Sequence, residues 1–582
     1  MSGAGGPAPT LLDRLLRPGR TSRRDTLVDL LLLGALALLL MAAGLGLRDP
    51  WAPDEPRFVL VATDMLRSGD WLFPRVGGDL YADKPPVFFW LLAVAMSLTG
   101  SMRAGFLLPS LLAGIATTWL VYDLLRRCRG REVALAGAFV LLLTFQFTWA
   151  ARHAQIDPVL CFLSTLSLYG LMRHVLLGPA TGWFVVGWIA AGLGVITKGV
   201  GFLPLLALLP ALVLAGRGWP VAAVPMRWPM AAGAAGLLAA IGLWLVPMVL
   251  ATAAGAEGHA YRQEILFQQT LTRYLSAWHH EKPFWFYLVH VVPVLWLPLI
   301  ALLPWLWPRW RAALRSRDTF VAVLLCWVAI VLVFFSASGG KRGVYVLPAV
   351  PALAMAAAPW LPELLRARGP RRLAFGLAAA LVTVIALAAA YVAVDATRAA
   401  TLQRLYGVEP VTPLVVGAAV GAGWLYVLRV RDGWLAYAGV YAGLVALVGV
   451  LLYPQLDPVR SGRQLVERME RASAGIGELG LVAAREQYLL ELRRPSVNFG
   501  HARWREWQSE AADAAAWLTE RPGRALLVPD HVRAECFEGA QSVELGRANR
   551  ETWFLVSGAA DAGCVARGDA GRAIAYLPPM LP

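Results

Sequence analysis

The stretch Trp51–Leu91 reads WAPDEPRFVLVATDMLRSGDWLFPRVGGDLYADKPPVFFWL. It sets five aspartates, one glutamate, three arginines and a lysine between apolar segments. The apolar run in which it ends decides the topology. That run, Val87 to Leu98, is about a dozen residues long, whereas a helix needs roughly 20 apolar residues to cross a hydrocarbon core about 30 Å thick. It therefore reads as an interfacial or re-entrant helix. Charge placement tests this choice independently. With Val87–Leu98 left out of the count, the basic clusters 126–131, 173–174, 217–227, 309–317, 366–372 and 429–431 all fall on the side of the N-terminus, and counting it as a span turns every one of them outward.

The chain around this stretch has 582 residues, 58% of them apolar and 16% charged, with a mean hydropathy of +0.57. Such a composition belongs to a polytopic α-helical membrane protein. The net charge of +15 sits in short clusters between apolar runs, as on cytoplasmic loops, which argues against nucleic acid as a partner. Runs long enough to span occur near 26–47, 104–125, 132–150, 158–176, 181–196, 199–215, 229–252, 284–307, 319–336, 343–362, 372–395, 411–429 and 433–453. The first follows the basic RLLRPGRTSRR without a small-residue cleavage site, so it reads as uncleaved and the N-terminus as cytoplasmic. Thirteen spans then put the tail outside.

The expected organisation is a cytoplasmic segment 1–25, a transmembrane domain 26–455 whose first external loop (48–99) carries juxtamembrane helices, and a C-terminal domain 456–582. In that tail, helical patterns alternate with short apolar strands, the mark of a small α/β domain. Cys128, Cys161 and Cys326 lie in or beside spans, while Cys536 and Cys564 share the tail and can pair if it is outside.

The outward segments gather residues able to do chemistry. Asp54 and Glu55 stand close above a span, where a carboxylate can act as a general base or bind a cation. Lys84, in YADKPPVFFW, holds an ammonium at headgroup depth, suited to a lipid phosphate. Asp157 precedes a proline at the start of a span, and Lys198 sits in the turn of ITKGVGF. Further along come Arg273, His279, His280, Glu281 and Lys282, then Lys341, Arg342 and Tyr345. Each has an ordinary alternative: a solvated loop, a snorkelling lysine, a helix cap. The adjacent histidines lack further ligands at metal spacing. What favours a site is that separate loops contribute carboxylates and cations to one face while the span interiors are nearly free of them, unlike a transporter.

Taken in order, DEPR, SGDWLFPRVGGDLYADKPPVFFWL, ARHAQIDPVL, TKGVGFLP, HEKPFWFYL and SGGKRGVYVLPAVPAL resemble the lipid A 4-amino-4-deoxy-L-arabinose transferases and their relatives, the protein O-mannosyltransferases and other polyprenyl-phosphate-sugar glycosyltransferases of the GT-C fold. The resemblance covers roughly residues 20–455. It implies transfer on the periplasmic face of the bacterial inner membrane, from an undecaprenyl-phosphate-linked sugar to lipid A or another periplasmic acceptor, by inverting displacement. Asp54, Glu55 and Asp157 are then the catalytic candidates, with Asp54 as base and Asp157 for positioning. Arg57, Tyr81, Lys84 and Arg273 match positions around the carrier-lipid phosphate, and Lys198, Lys341 and Tyr345 join the donor-binding set. The resemblance fixes no cofactor, and a divalent cation on Asp54, Asp83 and Asp157 stays open. The chain departs from the pattern at Asp83, where the family often has glutamate, and at Thr270, where many aminoarabinose enzymes have histidine. A sibling with another sugar or acceptor, and a flippase of lipid-linked sugars, are the alternative readings.

Overall fold

The computed structural model describes residues 22–222, 224, 226–253, 256–266, 282–500, 506–549 and 551–578. They divide into two compact units, one made of residues up to 44, 109–401 and 409–451, the other of 45–108, 402–408 and 452 onward.

The protein is a polytopic α-helical membrane protein. Among the described residues, eight helices are long and apolar enough to cross a membrane: Met102–Arg129, Ile156–Leu177, Thr181–Lys198, Arg227–Ala251, Thr319–Ala337, Arg368–Ala393, Val411–Leu428 and Val430–Arg460. The bent pair Tyr287–Leu295 and Ile300–Arg315 makes a ninth if it is taken as one span. Apolar side chains on several of these helices stay exposed, such as Leu238, Val384 and Tyr426, which suits a surface solvated by lipid rather than water.

The other expected spans take other forms. Of residues 26–47, those up to Met41 lie in one helix, Arg23–Met41, started by a capping box between Ser22 and Asp25. Its buried Asp29 is satisfied by Nε and Nη2 of Arg131, at 2.7 and 2.6 Å, and by the Tyr122 hydroxyl at 2.6 Å. Within 132–150 the helix breaks at an extended Thr144, leaving Arg131–Leu143 and Phe145–Ala150. Residues 199–215 begin as a 3-10 helix, Val200–Ala207, with Pro204 inside it. The run 284–307 is not one straight helix: it turns by 98° around Pro298. In 343–362, Pro348, Pro351, Pro359 and Pro362 punctuate four short helical pieces. Proline lacks an N–H and clashes with the preceding turn, yet hydropathy sums are blind to both. The demoted run is a 13-residue helix, Val87–Thr99.

Non-helical backbone at membrane depth must find internal partners. Here the breaks serve one another. The Phe145 N–H donates to the carbonyl of Leu297 at 2.9 Å. Gln146 accepts from the Trp296 indole at 2.5 Å and donates to the Gly343 carbonyl at 2.7 Å. Arg152, 3% exposed, donates to the carbonyls of Leu40 and Ala43 at the C-terminal end of Arg23–Met41, where a cation also opposes the helix dipole.

The second unit contains a six-stranded mixed sheet. Its strands are β3 (Glu478–Leu481), β4 (Ser496–Asn498), β5 (Arg524–Pro529), β6 (Gln541–Ala548), β7 (Glu551–Ser557) and β8 (Ile574–Tyr576), in the order β6-β7-β5-β3-β4-β8. The β3–β4 and β3–β5 pairs are parallel and the rest antiparallel. Helix Trp507–Glu520 packs Ala511, Ala514, Trp517 and Leu518 into the core with Leu526, Val528 and Val556 of the sheet. Cys536 and Cys564, both buried, form a disulfide, as the sequence allowed.

The first loop belongs to this second unit. Pro56 starts the helix Glu55–Ser68, and Gly69, at φ +72°, ends it. A hairpin follows: β1 (Arg75–Val76) and β2 (Asp79–Leu80) flank Gly77 and Gly78, both at positive φ, the conformation that a tight two-residue connection requires.

Candidate active site

Each unit holds its own group of the residues singled out above. In the second unit, Asp54 immediately precedes the helix Glu55–Ser68, and Arg57 lies in its first turn. The hairpin ends at Tyr81, whose N–H closes the ladder on the Pro74 carbonyl at 2.8 Å. The Tyr81 ring packs edge-on to Phe89, which also meets Phe58. Two prolines then follow Lys84, whose Nζ donates to the Asp83 carbonyl at 2.9 Å.

Electrostatics ties these groups together. Burial pushes the Tyr81 hydroxyl pKa up, the charge of Asp83 adds to this and Asp54 adds more weakly, while a hydrogen bond with Arg57 opposes it. Burial works against the charge of Arg57, but Glu486 and Tyr81 outweigh it and its pKa rises. The Phe58–Phe89–Tyr81 packing sets the Arg57-bearing helix beside Tyr81, and Asp83 and Asp54 act on the same hydroxyl.

A further member of this group is Glu486, which accepts from Arg57 Nε at 2.5 Å. Sequence reasoning missed it. It sits in LVAAREQYLLELRR, an unremarked helical pattern of the tail, 429 residues from its partner, and no local signal marks it.

Glu55 is turned away from that group. Its carboxylate makes a two-pronged pair with Arg48, at 2.5 and 2.7 Å, and accepts the Trp51 N–H at 2.9 Å. Arg48 is fully buried, its guanidinium over the rings of Trp51, Phe106 and Tyr453. Beside it runs an ionic network. Asp49 binds Arg103 at 2.5 and 3.0 Å and Arg463 at 2.9 Å. Asp457 accepts from the Asp49 N–H and the Trp51 indole, both at 2.8 Å, and Glu491 faces Arg463 at 3.5 Å.

In the first unit, Asp157 stands in the first turn of Ile156–Leu177 and Lys198 ends Thr181–Lys198. The two form an ion pair, and the Lys198 ammonium lies 4.3 Å from the centre of the Tyr345 ring. Gly199, at φ +71°, makes the turn after Lys198, and Gly201 then passes so close to Gly194 that a β-carbon would stand 1.9 Å from its carbonyl carbon. The Tyr287 hydroxyl, also missed from sequence, donates to the Arg342 carbonyl at 3.3 Å and lies within electrostatic reach of Tyr345 and Asp157. Lys341 is buried; its Nζ donates to the carbonyls of Ser338 at 2.5 Å and Lys282 at 2.9 Å, and burial lowers its pKa.

Arg273, His279, His280, Glu281 and Thr270 lie outside the described residues. No three His, Cys, Asp or Glu side chains among the described residues are grouped to hold a metal ion, so a divalent-cation site of Asp54, Asp83 and Asp157 gains no support.

These groups suit transfer from a phosphate ester: cations for a leaving phosphate, carboxylates for the sugar or acceptor. Comparison with known proteins agrees. Residues 83–246 match the family described as dolichyl-phosphate-mannose-protein mannosyltransferase. The fold is that of ArnT from Cupriavidus metallidurans, crystallised bound to undecaprenyl phosphate, with a TM-score of 0.72 and 22% identity over 92% of this chain and 98% of that one. The undecaprenyl phosphate-alpha-4-amino-4-deoxy-L-arabinose arabinosyl transferase of Pectobacterium carotovorum subsp. carotovorum (strain PC1) is 29% identical over 88% of this chain and 94% of its own. That of Pseudomonas aeruginosa (strain UCBPP-PA14) is 32% identical over 70% of this chain and 73% of its own. The chain thus belongs to the family of undecaprenyl phosphate-alpha-4-amino-4-deoxy-L-arabinose arabinosyl transferases.

Proposed function

We propose that the protein transfers 4-amino-4-deoxy-L-arabinose from undecaprenyl phosphate to a phosphate of lipid A. The observation that carries this reading beyond family membership is the packing of the helix that follows Asp54 and bears Arg57 against the segment that bears Tyr81, Asp83 and Lys84, through Phe58, Phe89 and the Tyr81 ring. In the reaction, an oxygen of the acceptor phosphate attacks the anomeric carbon. The bond from that carbon to the carrier phosphate breaks, and its electron pair stays on undecaprenyl phosphate.

The leaving group is already a weak base, so the protein's main task is to stabilise developing negative charge. Arg57 and Lys84, with Arg273, supply the cations, and the Tyr81 hydroxyl, held protonated, can donate. Asp54 takes a proton from the acceptor or holds the sugar's amine. Asp157 orients rather than accepts a proton, its carboxylate being held in an ion pair with Lys198.

We place this chemistry on the periplasmic face of the inner membrane, with the N-terminus cytoplasmic. The distribution of basic clusters supports it, and so does the Cys536–Cys564 disulfide, since such bonds persist in oxidising compartments.

The test is mass spectrometry of lipid A from a host that makes the lipid-linked donor but lacks its own transferase, expressing this chain or its Asp54→Asn variant. An added aminopentose that is lost in the variant is the expected result. Unmodified lipid A beside well-folded wild-type protein overturns the reading.

A further inference from the structure

We infer that Glu486 is a positioning residue for Arg57, through which the sheet-bearing region sets the geometry of the carrier-phosphate site; the inference rests on the function proposed above. It begins from a carboxylate that is 5% exposed at the start of the helix Glu486–Glu491. A buried carboxylate needs a partner, and Arg57 Nε is at 2.5 Å.

Which nitrogen is taken matters. A guanidinium is a flat fork of five N–H donors. Binding at Nε fixes its plane while leaving the four terminal N–H groups for other acceptors, and a phosphate is best held by those paired donors. Tyr81 is positioned from the same region. Asn498 Nδ2 of β4 donates to the hairpin carbonyl of Gly77 at 2.7 Å. The next residue, Gly78, approaches β8 so closely that a β-carbon would stand 2.9 Å from Ile574 Cγ2. Arg57, through Glu486, and the hairpin that leads to Tyr81 are thus both fixed by β4, β8 and the helix between β3 and β4.

Charge and orientation make opposite demands on Glu486, which gives the test its sign. By charge alone, replacing Glu486 with a neutral residue strengthens attraction for an anion. By orientation, it loosens the hold on the guanidinium plane, because a neutral amide oxygen accepts from Nε less strongly than a carboxylate, and so weakens binding.

The measurement is binding of undecaprenyl phosphate to the purified full-length protein in wild-type, Glu486→Gln, Arg57→Ala and doubly substituted forms, with thermal unfolding recorded for each. Glu486→Gln is expected to weaken binding about tenfold in the wild-type background and to have no effect once Arg57 is gone, since coupled residues are not additive. Unchanged or tighter binding, or the same loss in both backgrounds as a general structural role would give, overturns the inference. If Glu486→Gln does not fold, Arg57→Lys serves instead: it keeps the charge but loses the Nε donor, and wild-type affinity there also overturns it. Wild-type protein that fails to bind the carrier removes this inference together with the function. Protein that binds the carrier but modifies no lipid A removes the function alone, and the binding series still decides Glu486.

Discussion

Asp54 and Glu55 are neighbours with different surroundings. Asp54 acts, with Arg57 and Asp83, on the Tyr81 hydroxyl, whereas Glu55 neutralises a guanidinium stripped of water. Removing one partner of such a buried pair strands the other charge, so Glu55→Gln is expected to cost about 3–5 kcal/mol of stability. Thermal unfolding reads this, and transfer per folded molecule should fall far less than in Asp54→Asn. Glu491 offers a second test. Burial, with the charges of Asp49 and Asp457 against those of Arg463 and Arg103, pushes its carboxyl up to about 7. The unfolded group titrates at about 4.3. Between those values the unfolded chain has released the proton and the folded one keeps it, so stability falls as pH rises through this window and the contribution is gone above about 7. The effect is on the order of 3 kcal/mol at most. In unfolding profiles from pH 5 to 8, wild type should lose stability relative to Glu491→Gln, and a constant difference would refute the assignment.

Whole helices show where sequence is a good guide and where it is not. Val87–Leu98 was legible because length alone forbids it to span, and the basic clusters gave a second count. Thr319–Ala337 and Arg368–Ala393 were legible for the same reason, being long and without charged interruption in their apolar stretch. The broken segments were not. Apolar sums over 132–150, 284–307 and 343–362 carry no information about where a backbone can bend, which depends on partners far along the chain. Gln146 is such a partner. Gln146→Leu orphans both the Trp296 indole and the Gly343 carbonyl, at a cost of roughly 1–3 kcal/mol for each group, measurable as a lowered unfolding temperature in detergent.

On the scale of the molecule, Asp54 and Lys84 stood out as candidates because they lie in one short polar stretch, and Arg57 and Tyr81 were added by the family resemblance. Glu486 and Asn498 were not, because the fold alone brings them there. The sheet region that carries them is closed by the Cys536–Cys564 bond across a separation of 28 residues. A cross-link of that kind typically contributes about 2–4 kcal/mol. Reductant is therefore expected to lower the unfolding temperature of the wild type and to leave a Cys536→Ala/Cys564→Ala variant, already lower, unmoved.

The pairing of Arg57 with Glu486 has a consequence for how the protein is made. The two residues are separated by 429 positions, and Asp49 and Asp457 by 408. At 5–20 residues per second of synthesis, the first loop emerges roughly 20–90 s before its anchors exist. Through that interval Arg48 and Glu55 can pair within the loop, while Arg57 and Asp49 lack their partners from the tail. A ribosome stalled just past Leu451 would hold a chain with most of its membrane helices complete and an immature catalytic loop, so maturation of the site waits for residues translated long after the loop itself.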